Sequence, residues 1–325
     1  MKKIKDREKY KRYQLKCKIR EEKKKIRKRK KKLKNYTRKQ KVKLKCPAKF
    51  SIFENSEETL KFFIKVRKYI NKKSLFIDMS NVDYLTLETI LYSNALLFHN
   101  DYNIMQNKKN FKPIKKGLPR NEKIKELILN SGLFKRTEPN KDIFQIKRGE
   151  QSDPEVAGNI IDFTLEKMDG KQSSTSKRVY EALVEMMSNT VEHAFKGEKK
   201  SSKWHLMACH DKDTNCVKFS FLDTGIGIPA SINTKFKEKM TKLLRKNDAK
   251  LMYSALQGEF RTQTKKRYRG KGLPSIYKNA KEGSISNLKI ISNYGYINCE
   301  NEELKNFKIK FSGTLYNWDF IYKNE

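Results

Sequence analysis

Three short stretches in the C-terminal half carry residue types suited to a charged ligand. In YEALVEMMSNTVEHAF, residues 180–195, Glu185, Asn189 and His193 recur every fourth residue. They form a polar stripe beside the apolar face of Val179, Leu183, Met186/Met187, Thr190/Val191 and Ala194. An amide oxygen one turn from a carboxylate can hold a hard cation within reach of that acid. In VKFSFLDTGIGIP, Val217, Phe219 and Phe221 alternate as a strand, which Asp223-Thr224-Gly225-Ile226-Gly227 then breaks. An aspartate at a strand end accepts a hydrogen bond from an exocyclic amine such as that of adenine. Gly225 and Gly227 let the backbone approach a ligand closely. In Arg269-Gly270-Lys271-Gly272-Leu273 a glycine-rich loop opens into a helix, whose free amides and dipole suit phosphate oxygens. It fits neither the P-loop nor the dinucleotide-binding pattern. Each stretch alone also reads as an ordinary feature: a solvated helix face, an Asp/Gly turn, a structural loop.

Order and spacing together resemble the GHKL ATPase superfamily, which includes gyrase, histidine kinases and mismatch-repair ATPases. The likeness covers residues 154–325. E-x-x-x-N reads Glu185 to Asn189, with Glu192-His193-Ala194 after it. D-x-G-x-G reads Asp223 to Gly227, G-x-G-L reads Gly270 to Leu273, and a late G-T reads Gly313-Thr314. The resemblance implies ATP and Mg²⁺ as cofactors. It implies that Asn189 coordinates the magnesium, that Asp223 reads the adenine amine and that the Gly270–Gly272 loop cradles the phosphates. Gly225, Gly227, Leu273 and Thr314 complete the implied ATP site, with Arg269 and Lys271 as phosphate contacts beside Gln257 and Arg261. Glu185 is the implied general base for water, and residues 230–268, with 11 Lys/Arg against 3 Asp/Glu, the implied ATP lid.

These residues need elements to position them. Periodicity predicts helices at 154–168, 177–195 and from 273, and strands at 203–210, 216–222, 289–297 and 306–316. Pro154 and Ser173–Ser176 supply start signals. The expected fold class is α+β, a two-layer α/β sandwich. Residues 50–150 alternate helix and strand, with a helix at 59–70, the strand SLFIDM at 74–79 and a helix at 87–98; 101–120 and 135–153 read as loops or edge elements. LFIDMSNVDYLTLETILYSNALL and IKELILNSGLF are similar to a STAS domain, the anti-sigma-antagonist fold, over about residues 52–137. Asp78-Met-Ser80 and Val82 fit that pattern, whereas Thr86-Leu-Glu-Thr89 lacks its phosphorylatable Ser-Ser-Gly. A structural role for Thr86 and Thr89 is the simpler reading.

The chain's 325 residues carry a net charge of +38, and residues 1–50 hold 26 Lys/Arg against 4 Asp/Glu. Residues 1–49 therefore read as a disordered or helical basic tail, ahead of a STAS-like domain at 50–150 and an ATP-binding domain at 151–325. Such a tail suits nucleic acid or another polyanion. An unidentified protein partner and an ATP-dependent homodimer also fit the implied lid closure. No apolar run is long enough for a membrane span or a signal peptide, and five Cys without CxxC spacing suggest reduced thiols in a cytoplasmic protein. The leading expectation is a Mg-dependent ATP-hydrolysing regulator, by analogy part of a defence or stress module. Two alternatives stay open: a protein Ser/Thr kinase switch of anti-sigma type, and a non-enzymatic nucleic-acid-binding protein with a vestigial nucleotide site.

Overall fold

The computed structural model describes residues 20–28, 41–70, 73–106, 114–133, 140–168, 170, 173–193, 203–232, 247–259 and 272–321. Strands β7 (Trp204–Asp211), β8 (Cys216–Asp223), β9 (Ser286–Ser292) and β12 (Thr314–Phe320) are apolar at both odd and even positions. Side chains alternate across a sheet, so such strands need cover on both faces. They form the centre of a seven-stranded antiparallel sheet ordered β11-β10-β9-β12-β8-β7-β6, completed by β6 (Ile143–Gly149), β10 (Gly295–Asn298) and β11 (Glu303–Asn306).

Leu206, Phe219, Phe221, Ile290 and Trp318 point to one face and pack under four helices. These are α4 (Pro154–Lys167), α5 (Ser174–His193), α7 (Asp248–Leu256) and α8 (Gly272–Lys281), with the short α6 (Ile228–Ser231) in the loop after β8. Their starts follow from local chemistry. The Asp153 carboxylate accepts the Val156 amide at 3.0 Å, with Pro154 in the first turn. Ser173 and Ser176 cap reciprocally, each side-chain oxygen accepting the other's amide, at 3.2 and 2.9 Å. The Asn247 side chain accepts the Lys250 amide at 3.0 Å.

Met207, Leu222, Ile291 and Leu315 point to the other face, where the N-terminal part covers them. Parallel strands β1 (Lys41–Lys45), β3 (Ser74–Asp78) and β5 (Ile114–Gly117) lie in the order β1-β3-β5. A two-stranded parallel pair, β2 (Lys49–Phe50) and β4 (Tyr84–Leu85), sits beside them. Helix α1 (Ser56–Tyr69) joins β2 to β3, α2 (Leu87–Gln106) joins β4 to β5, and α3 (Glu122–Asn130) follows. Helix α2 lies against β7, β8 and β12 of the large sheet. One apolar core thus runs from Phe50, Phe63 and Leu91 into Leu222 and Phe311.

The α+β class is as expected, and several boundaries differ. The basic segment enters the fold at Lys41, because Val42 and Leu44 alternate with lysines and Leu44 is buried. The helix over residues 20–28 is exposed throughout. Strand β6 precedes the expected 150/151 boundary yet is the edge of the large sheet. The strand expected over 289–297 is a hairpin, β9 and β10, reversed at Asn293, whose φ of 52° asparagine tolerates. The strand expected over 306–316 divides into β11 and β12, separated by 307–313. Among the described residues no helix is long and apolar enough to cross a membrane.

A fragment of residues 140–325 leaves Met207, Leu222, Ile291, Phe311 and Leu315 in water, a continuous apolar face. It is expected to aggregate in size-exclusion chromatography, whereas 41–325 elutes as a defined species. Equal behaviour of the two fragments would contradict a shared core.

Candidate functional site

The sheet register places four residues in one row across four strands. Trp204 pairs with Asp223, Asp223 with Thr314, and Thr314 with Ser292. All four share the parity of the helix-side core, so the row closes that core at one end of the strands. Glycines flank it: Gly149 opposite Trp204 and Gly295 opposite Ser292. A Cβ on Gly149 would lie 2.4 Å from the Trp204 ring, so glycine there lets the indole lie flat against β6.

Asp223 is the chemically exceptional member. Its Oδ1 accepts the Gly225 amide at 2.7 Å, and among the described residues no cation pairs with it. Burial pushes its carboxyl up to about 7, against the partial relief of that one hydrogen bond. A half-buried carboxylate that no described cation offsets is a stability cost the fold itself does not need.

The loop after Asp223 is held by side chains that the sequence did not single out. The Ser292 hydroxyl accepts the Ile228 amide at 2.9 Å, and it lies 3.0 Å from both the Gly313 carbonyl and the Thr314 hydroxyl. With Ser292 donating to Gly313, the Thr314 hydroxyl donates to Ser292. Gly227 has φ 88°, and a Cβ there would lie 2.7 Å from the Ser292 hydroxyl and from Asn293 Oδ1. Asn293 Oδ1 is buried without a hydrogen-bond partner. The only sequence signal for this pair is a Ser-Asn-Tyr-Gly turn ending an apolar run. Gly313 has φ 94°, and a Cβ there would fall 2.0 Å from the Asp223 carbonyl oxygen. No other residue fits at that position.

Glu185 and Asn189 lie one turn apart on α5, both half-buried. The adjoining apolar side of α5 (Leu183, Met186, Met187) enters the core that holds Phe219, Phe221 and Tyr316. The Asn189 Nδ2 is buried without a hydrogen-bond partner. The structure therefore joins Asp223, Gly225, Gly227 and Thr314 in one cluster, and it sets Glu185 and Asn189 on the helix roofing the same core. Gly272 begins α8, and Leu273 packs partly buried against that core. Arg269, Gly270, Lys271 and Arg261 lie outside the described residues, as does the side chain of His193. Within the stretch expected as a lid, Asp248–Leu256 is a packed helix with Leu251, Met252 and Leu256 buried. It is pinned by Asp248 accepting the Tyr294 amide at 3.0 Å. The lid expectation otherwise falls on 233–246 and 260–268, outside the described residues.

Compared with protein-family models and with curated proteins, the chain matches none. Chemistry elsewhere in the fold is quieter. Among the described residues no group of three or more His, Cys, Asp or Glu is arranged to hold a metal. Burial raises the Cys209 thiol to about 11, away from the thiolate a metal would need. Thr89 is fully buried, its hydroxyl accepting the Ile52 amide at 3.0 Å, and the Thr86 hydroxyl donates to the buried Glu88 carboxyl. Both threonines close the start of α2 structurally.

The raised Asp223 carboxyl gives a signed pH dependence. The folded chain binds that proton more tightly than the unfolded chain, so the group's contribution is intact below about pH 4 and is lost as pH rises to about 7. Asp223→Asn removes the loss while keeping an oxygen for the Gly225 amide. Thermal or urea unfolding should find the variant close to wild type near pH 4.5 and more stable by about 2 kcal/mol at pH 8. A pH-independent difference would contradict the assignment.

Proposed function

We propose that the chain is a Mg²⁺-dependent ATP-binding and ATP-hydrolysing regulatory protein of GHKL type. In this reading its STAS-like N-terminal unit couples nucleotide state to a partner, and its basic tail holds a nucleic acid. The observation that carries the reading is Asp223: a half-buried carboxylate at a strand end, in register with Thr314 and with no cation partner among the described residues. Its second oxygen can accept the exocyclic amine of adenine. The residues present also fit the metal. Asn189 offers a hard amide oxygen on a half-buried helix position one turn from Glu185, and Mg²⁺ takes few protein ligands because water and phosphate oxygens supply the rest. When bound, that ion neutralises phosphate charge.

The chain's own residues divide the remaining work. Asp223 fixes the base by accepting its amine hydrogen. Glu185, one turn before Asn189, accepts a proton from the water that attacks the terminal phosphorus. The bond from that phosphorus to the bridging oxygen breaks, giving ADP and inorganic phosphate. Hydrolysis is preferred over transfer to Thr89, because that hydroxyl is buried and already engaged.

Phosphate release should require Mg²⁺. Glu185→Ala should lower kcat by about 10²- to 10³-fold with ATP affinity within about threefold of wild type. Asp223→Asn should instead weaken ATP affinity. Absent hydrolysis by wild type, or unchanged turnover in Glu185→Ala, would sink the reading.

Residues 41–49 contribute to β1 and β2 and so belong to the fold. Removing only residues 1–40 should leave the unfolding temperature unchanged and abolish retention of the chain by an RNA or DNA oligonucleotide. Retention by the full chain should fall steeply with salt. Undiminished retention without residues 1–40 would place the polyanion site elsewhere.

A further inference from the structure

Four consecutive residues, Phe311 to Thr314, run from the N-terminal unit to the proposed adenine contact. Phe311 is fully buried on the N-terminal side of the sheet, its ring centroid 4.8 Å from that of Tyr92 on α2. Its amide donates to the Asn293 carbonyl at 2.7 Å, beside the turn that receives Gly227. The Ser312 hydroxyl accepts Arg67 Nη1, from α1, at 2.8 Å. The same guanidinium donates through Nη2 to the Tyr92 hydroxyl, with its carbon 5.5 Å from the Tyr92 ring centroid. Gly313 then presses on the Asp223 carbonyl, and Thr314 pairs with both Asp223 and Ser292.

Peptide planarity leaves little slack along such a path. Ser312 and Thr314 are two virtual bonds apart, about 7 Å at most. Gly313 between them has a positive φ and no space toward Asp223. A shift at Ser312 is therefore passed to Thr314 rather than absorbed. We propose that Arg67 and Tyr92 are positioning residues for the nucleotide site, through which the N-terminal unit sets nucleotide affinity from the opposite face of the sheet. This rests on the ATP reading above. Coupling of this kind is reciprocal, so a bound nucleotide must also tighten the hold of Arg67 and Tyr92 on Ser312 and Phe311.

The Arg67–Ser312 bond is exposed, so its loss costs little global stability, and geometry can be separated from folding. The test compares the full chain with Ser312→Ala, Arg67→Ala, Arg67→Lys and Asp223→Asn. It reads affinity for a non-hydrolysable ATP analogue, KM and kcat for ATP, and the nucleotide-free unfolding temperature. Ser312→Ala and Arg67→Ala should each weaken analogue binding and raise KM about fivefold, with kcat within about twofold; the unfolding temperature should be nearly unchanged in Ser312→Ala and lower in Arg67→Ala, which also leaves the buried Tyr92 hydroxyl without its donor. Arg67→Lys should recover part of the affinity. Hydrogen exchange should show α1 and α2 gaining protection when the analogue binds. If wild type binds no analogue, the ATP reading falls and this inference with it. If wild type binds, Asp223→Asn does not, and Ser312→Ala and Arg67→Ala bind like wild type, the ATP reading stands and the inference is overturned. A parallel loss of kcat and unfolding temperature in Ser312→Ala would also overturn it, as the sign of a merely structural contact.

Discussion

Antiparallel sheets ordinarily leave one face to water, but the strands of this one carry large apolar side chains on both. Trp204, Phe219, Phe221 and Trp318 must be roofed by helices on one side, while Met207, Leu222, Ile291 and Leu315 must be covered on the other. Each such side chain is worth about 1.5–3 kcal/mol when fully buried, so neither cover is dispensable. The N-terminal unit is therefore the second wall of the sheet, with α2 laid directly on β7 and β8.

A sheet closed on both faces can offer polar groups to a ligand only at the ends of its strands. Asp223, Thr314 and Ser292 occupy such an end, and the two glycines with positive φ, Gly227 and Gly313, let the connecting loops close on them. The Asp223 carboxylate is half-buried and has no countercharge among the described residues, a cost that local packing does not explain. Sites that bind or react characteristically retain such groups. The same strand end meets the N-terminal unit through Phe311 and Ser312, so the two faces of the sheet share one short segment of backbone.

Most elements were legible in the residues. The start signals at Pro154 and Ser173, the alternation in β8 and the turn after Asp223 mark helix, strand and loop by local chemistry alone. Three features were not. Lysines flank Val42 and Leu44 so densely that β1 reads as part of a charge run. The hairpin at Asn293 depends on one residue adopting a left-handed backbone. β6 is short and mixed in polarity, and only its pairing with β7 assigns it to the large sheet.

The kinds of chemistry on offer are written in the residues themselves: a carboxylate at a strand end, an acid and an amide one turn apart, and a Lys/Arg-rich first fifty residues. Those depend only on residue identity and near-neighbour spacing. Tertiary structure decided which of them meet. Strand register, fixed by pairings between residues about 20 to 90 positions apart, brought Trp204, Asp223, Thr314 and Ser292 into one row. Packing between distant segments set the partial burial of Asp223 and carried Arg67 to Ser312. Neither burial nor cross-strand register is a property of a short stretch of chain, so neither could be read from one.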